Sequence, residues 1–182
     1  KANDNHQNQE IKIEGLKEGE YELLILAIKG NLLDDGATIH PLKQKTDQWI
    51  SFPSDLQKPL EAEYFYSKTP FSVSREAVAG GHEYIVHLPA EIVQKRIMGR
   101  LDLGLLYNND DVRTAATQKT LSFHTGTFYT AFTGDGGYAG QSNGQTDPIE
   151  LNDQNTYWFM PTTADAQINA EISLTTTHYR GG

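Results

Sequence analysis

Polar and apolar residues alternate almost without a fault from Gln167 to Thr177. Ile168, Ala170, Ile172 and Leu174 fall on one side, and Gln167, Asn169, Glu171, Ser173 and Thr175 on the other. Successive side chains of an extended strand point to opposite faces, so this run predicts a strand with one buried and one wet face. Ile97, Gly99, Leu101, Leu103, Leu105 and Tyr107 form a second run of the same kind, with Arg100 and Asp102 turned the other way.

The same texture fills most of the chain. Ile11 to Ile13 is a short strand signal, and Gly19 opens a longer one over Tyr21 to Lys29. There Tyr21, Leu23, Ile25 and Ala27 share one face while Leu24, Leu26 and Ile28 hold the other, the pattern of a central strand covered on two sides. Asn31 to Gly36 is a turn-rich break. Trp49 to Phe52, Glu61 to Tyr66 and Phe71 to Ser74 follow as strands, the last two separated by Ser67-Lys68-Thr69-Pro70. Gly80-Gly81 marks a turn into His82 to Leu88. Further signals cover Lys119 to His124, Thr127 to Thr133, Ile149 to Leu151 and Thr156 to Met160, with a Gly-rich loop from Gly134 to Gly144. Ala90 to Lys95 has helical propensity but is too short to stand as a helix unaided, and Ala115-Ala116 suggests a brief helical turn. Roughly eleven short strands with frequent turns predict an all-β antiparallel sandwich with at most one or two helical turns. Residues 1–10 are polar and aperiodic and read as a flexible leader. Residues 11–182 read as one sandwich domain, with a candidate subdivision near 108–118.

Charge and composition remove several functions. The net charge is −9, and no basic stripe is present, so neither nucleic acid nor an anionic membrane surface is an expected partner. The absence of cysteine removes disulfides, thiolate metal sites and thiol nucleophiles together. No apolar stretch approaches the ~20 residues of a spanning helix.

Candidate chemistry is sparse. His82 and His87 stand at an odd offset, which sends them to opposite faces of one strand, and His40, His124 and His178 stand alone. Asp34-Asp35, Asp110-Asp111 and Asp135 sit in turns without the spacing of a calcium loop. Gly-x-Ser-x-Gly is missing, and no pair of carboxylates stands out as acid and base. Hence no catalytic residue, cofactor or metal ligand is assigned, and the expected protein is not an enzyme. Among the aromatics, Tyr138 and Trp158 are candidate glycan contacts, because aromatic rings offer a flat apolar body with a polar tip. A carbohydrate-binding β-sandwich is therefore the alternative reading.

Two stretches carry a family resemblance. Gly15-Leu16-Lys17-Glu18-Gly19-Glu20-Tyr21 leads into an apolar strand. Glu63-Tyr64-Phe65-Tyr66-Ser67 is followed by Tyr84 to Leu88 and by Lys95-Arg96-Ile97-Met98-Gly99-Arg100-Leu101-Asp102-Leu103. Together they resemble the fimbrillin superfamily of Bacteroidales surface proteins, its fimbrial subunits and anchors, over Leu16 to Tyr107. The resemblance implies a transthyretin-like or immunoglobulin-like sandwich on the outer surface of a Gram-negative cell. It implies a structural role in adhesion as pilus subunit, anchor or tip. Expected partners are other fimbrial subunits and a host surface protein or glycan, with the membrane reached only through a lipid anchor that this chain lacks. Such subunits join by adding a strand to an open sheet edge. Ile168, Ala170, Ile172 and Leu174 have the pattern of a donated strand, and equally that of an internal strand of their own domain.

Overall fold

A computed structural model describes residues 13–54, 59–102, 116–123, 127–142, 149–150, 156–163 and 170–176. The fold is all-β and sandwich-like, built from antiparallel sheets with one helical turn among the described residues. Its strands are β1 (Gly19–Lys29), β2 (Thr38–Ile39), β3 (Gln48–Ser51), β4 (Glu63–Val78), β5 (Gly81–His87), β6 (Lys95–Arg96) and β7 (Gly99–Asp102). They continue as β8 (Ala116–Phe123), β9 (Ala131–Thr133), β10 (Tyr138–Ala139), β11 (Ile149–Glu150), β12 (Thr156–Phe159) and β13 (Ala170–Thr176). The chain divides into two compact units, Lys1–Leu23 with Thr69–Ile92, and Leu24–Lys68 with Val93–Gly182. These boundaries lie away from residues 108–118; residues 103–115 fall outside the described residues, as does the leader over 1–10.

The first unit is built on β4 and β5. Phe71 and Val73 of β4 are buried, and Phe71 stacks on Tyr21 of β1 with ring centroids 5.3 Å apart. β4 pairs with β5 from Ser72↔His87 to Val78↔Gly81 without a register break. Beyond Val73 burial fades, and Arg75 to Val78 and all of β5 are exposed.

The second unit holds the larger core, in which Ile50, Phe52, Leu60, Ala62, Tyr64, Tyr66, Ile97, Met98, Phe128, Phe132, Tyr157 and Met160 pack together. Aromatic rings knit it edge to face: Phe52 on Tyr64 at 5.1 Å, and Tyr66 on Phe132 at 4.9 Å. One sheet runs β10-β9-β3-β2, another pairs β12 with β7, and a third runs β11-β8-β13. A single helical turn, α1 (Leu32–Asp35), is capped by the Asn31 side chain, which accepts from the Leu33 N–H at 3.2 Å. Gly36 ends it in the left-handed region, with φ of 65°. This turn delivers Asp35 to the interior. Its carboxylate accepts from the Glu61 N–H at 2.6 Å, the Ala62 N–H at 3.0 Å and the Tyr64 hydroxyl at 2.7 Å.

Three expectations are corrected. Among the described residues β1 is an end strand of the order β1-β4-β5 and only half-buried, not a central strand covered on two sides. Glu61–Tyr66 and Phe71–Ser74 are not two strands, because β4 runs through Ser67-Lys68-Thr69-Pro70 unbroken. The even residues of β4 that meet β5 turn their N–H groups toward it. Pro70 continues that phase one step past the last pair, where no donor is needed. Burial in β4 also changes phase there, from Tyr64 and Tyr66 to Ser67, Thr69, Phe71 and Val73. Ala116 opens strand β8 rather than a helical turn, whereas residues 91–94 form no helix, as their short length leads one to expect.

Candidate functional site

The β4–β5 hairpin owes its shape to a two-residue turn at Ala79-Gly80. Gly80 has φ of 94°, and a Cβ placed there would meet nothing within 4 Å, so glycine serves conformation rather than space. The resulting strand β5 stands at the end of its sheet order, with β4 as its partner among the described residues. Its apolar side chains are open to solvent: Tyr84 is 54% exposed, Ile85 36% and Val86 47%. Tyr84 and Val86 face one side of the hairpin and Ile85 the other. Glu76 and Glu83 stand directly opposite each other in the ladder, a like-charge pair that weakens the hairpin locally.

Edges of natural sheets are normally blunted by lysine, proline, a bulge or a covering loop. From Gly81 to His87 there is no lysine and no proline, and the pairing with β4 shows no bulge. An edge of this kind can do one thing chemically: its outward backbone groups can pair with another strand while neighbouring apolar side chains dock.

The glycan candidates are placed differently. Trp158 of β12 lies opposite Arg100 of β7. The Arg96 guanidinium sits over its indole at 4.3 Å and that of Arg100 at 5.6 Å. Each cation already has a carboxylate. Glu63 receives Arg96 at 2.7 Å and Lys29 at 3.0 Å, while Asp102 receives Arg100 at 2.9 Å. Desolvation pushes the Glu63 carboxyl upward, but the hydrogen bonds and charges of Lys29 and Arg96 outweigh it and hold the group below its ordinary value. The Thr156 hydroxyl and then Arg100 likewise hold Asp102 low. Tyr138 of β10 stacks on Tyr129 at 5.3 Å, meets Phe132 edge to face, and donates its hydroxyl to the Ile97 carbonyl at 2.8 Å. Burial pushes its phenol up.

Of the candidate assembly residues, Ala170, Ile172 and Leu174 lie in β13 opposite Phe123, Leu121 and Lys119 of β8. Ile168 falls outside the described residues. β13 thus spends one edge on its own chain, as an internal strand does. Among the described residues no three His, Cys, Asp or Glu side chains converge as metal ligands. The three described histidines hydrogen-bond locally: His40 to Ser51 at 2.7 Å, His82 to Arg75 at 3.0 Å and His87 to Ser74 at 2.9 Å.

Two features escaped the sequence reading. The openness of β5 carried a faint signal, because Tyr84-Ile85-Val86 breaks alternation without a buried partner to explain it. The cation-flanked indole had none, since strand pairing brings Arg100 to Trp158 and the folding of β6 onto β4 brings Arg96, both from far along the chain. No family model matches the chain, and comparison with curated proteins and with solved structures finds no significant match.

Proposed function

We propose that this chain is a non-enzymatic structural protein of the outer cell surface, a fimbrial subunit, anchor or tip component that joins its partners by β-strand addition. The observation that carries the reading is β5, at the end of its sheet order among the described residues, without lysine, proline or bulge and with Tyr84, Ile85 and Val86 open to solvent. Strand addition draws affinity from backbone hydrogen bonds and selectivity from alternating side chains, and β5 offers both. The resemblance of Leu16 to Tyr107 to fimbrillin-type subunits supplies the setting. The pairing of both arginines with carboxylates beside Trp158 supports a structural use of that cluster.

The carbohydrate-binding alternative draws less support. A sugar stacks on an open ring face, whereas Arg96 and Arg100 lie over the indole and Tyr129 and Phe132 pack on Tyr138.

Immunogold labelling of intact cells that express the natural gene tests the proposal. The expected result is label on the cell exterior and on its filaments, removed by external protease. Label found only inside the cell refutes it.

A further inference from the structure

The edge of β5 has a partner written into its own sequence. Val78 and Gly81 flank a two-residue loop, so as the closing pair they exchange both backbone hydrogen bonds. Alternation then turns the N–H and C=O groups of Gly81, Glu83, Ile85 and His87 toward β4. Those of His82, Tyr84 and Val86 point away from the sheet, unpaired among the described residues. Any strand docking here must match that phase.

Resting on the strand-addition reading above, we infer that β5 pairs antiparallel with β5 of a second copy of this chain, about a two-fold axis through Ile85. In that register Tyr84 and Val86 of the two copies face each other and exchange both backbone bonds. This brings an aromatic and a β-branched side chain together across the strands, a favourable cross-strand pair. Ile85 meets its own symmetry mate on the opposite face. Glu83 meets His87, so a carboxylate that faces only Glu76 in the single chain gains an imidazole partner. One step further out, His82 meets Leu88, itself 53% exposed.

Neighbouring registers lose this fit. An axis through Tyr84 sets Glu83 against Ile85, and an axis through Val86 sets it against Pro89. An axis between two residues sets outward-pointing groups against inward-pointing ones and makes no ladder. The two-fold arrangement also consumes the edge. Once β4-β5 is joined to its mate, neither copy offers that strand to a third, so association through this edge stops at the dimer and further partners must use another edge.

Since the chain has no cysteine, single introduced cysteines read the register without background. Ile85→Cys places two thiols at a non-hydrogen-bonded pair, where Cα atoms approach to ~4.5 Å, within the range a disulfide spans. Mild oxidation of the full-length Ile85→Cys chain is expected to yield a covalent dimer, and mixing Glu83→Cys with His87→Cys a covalent heterodimer. Glu83→Cys alone should stay uncrosslinked. Sedimentation velocity of the unmodified chain should show a concentration-dependent monomer–dimer equilibrium. Val86→Lys should weaken it by at least about tenfold, equivalent to ~1.4 kcal/mol, with an unchanged circular dichroism spectrum.

A chain that stays monomeric at every concentration overturns the inference, and so does a dimer in which Glu83→Cys crosslinks to itself as readily as Ile85→Cys. Monomers in solution from a protein that labels the cell exterior would sink the self-pairing while sparing the surface role. Register-specific dimers from a protein confined to the cell interior would do the reverse.

Discussion

Asp35 is the position where one substitution should unsettle the second unit most. Its carboxylate is 2% exposed and holds two backbone N–H groups and the Tyr64 hydroxyl. Replacing it with alanine strands the Ala62 N–H and the Tyr64 O–H in the interior, and the Glu61 N–H at its margin. Each buried polar group left unsatisfied costs about 1–3 kcal/mol. Two full penalties and about half of a third come to about 2.5–7.5 kcal/mol, against domain stabilities of ~5–15 kcal/mol. Asp35→Asn keeps one acceptor oxygen and should lose about half as much. Both tryptophans of the chain, Trp49 and Trp158, lie in the second unit, so urea denaturation followed by their fluorescence reports on it directly. A double-mutant cycle with Tyr64→Phe should show coupling of about 1 kcal/mol or more, as expected for groups sharing one network. An Asp35→Ala midpoint within about 1 kcal/mol of the original, or strict additivity with Tyr64→Phe, would refute the claim that this carboxylate organises the Glu61–Tyr64 backbone.

Gly30→Ala should destabilise the second unit by at least about 1 kcal/mol in the same assay, because φ there is 125° and the new Cβ would lie 2.9 Å from the Ala62 backbone. Ser67→Ala should be neutral or stabilising by up to about 1 kcal/mol, since its buried hydroxyl has no hydrogen-bond partner among the described residues; a clear loss would reveal a partner. Glu63 sets an acid limb. Because its carboxyl titrates lower in the folded chain than in the unfolded one, its contribution is complete above the ordinary carboxylate value. It is lost as pH falls from there through the lowered folded value. Glu63→Gln should flatten that limb in denaturation curves between neutral and acidic pH, and in an NMR titration Arg96→Gln should move the Glu63 midpoint upward.

Where pairing is local, the chain announces its strands. The apolar run in Tyr21 to Lys29 and the glycines at Gly80-Gly81 belong to single strands and single turns, and β1, β5 and the hairpin turn appear close to where the pattern sets them. Pro70 misled because a proline within a strand normally argues for a break; which sheet neighbour its nitrogen faces is decided only by the β4–β5 register. β1 misled for a related reason. Apolar residues on both faces mark a strand with something on each side, yet say nothing about whether a hydrogen-bonding neighbour lies at each edge. Asp34-Asp35 read as turn acids, and Asp34 fits that description. Asp35 became the hub of a buried network because one helical turn rotates it inward toward residues far along the chain. The same distance hid the meeting of Trp158 with its two arginines.

The boundaries of the two units carry a consequence for how the polypeptide reaches its native state. Each unit is assembled from separated stretches, and the backbone passes from one to the other after Leu23, Lys68 and Ile92. During synthesis the first unit is incomplete until Ile92 has emerged, and Leu24–Lys68 must wait for later residues before its own aromatic interior can close. No single cut can release either unit free of the other's residues, and a protease that severs the chain within Leu24–Ile92 injures both at once.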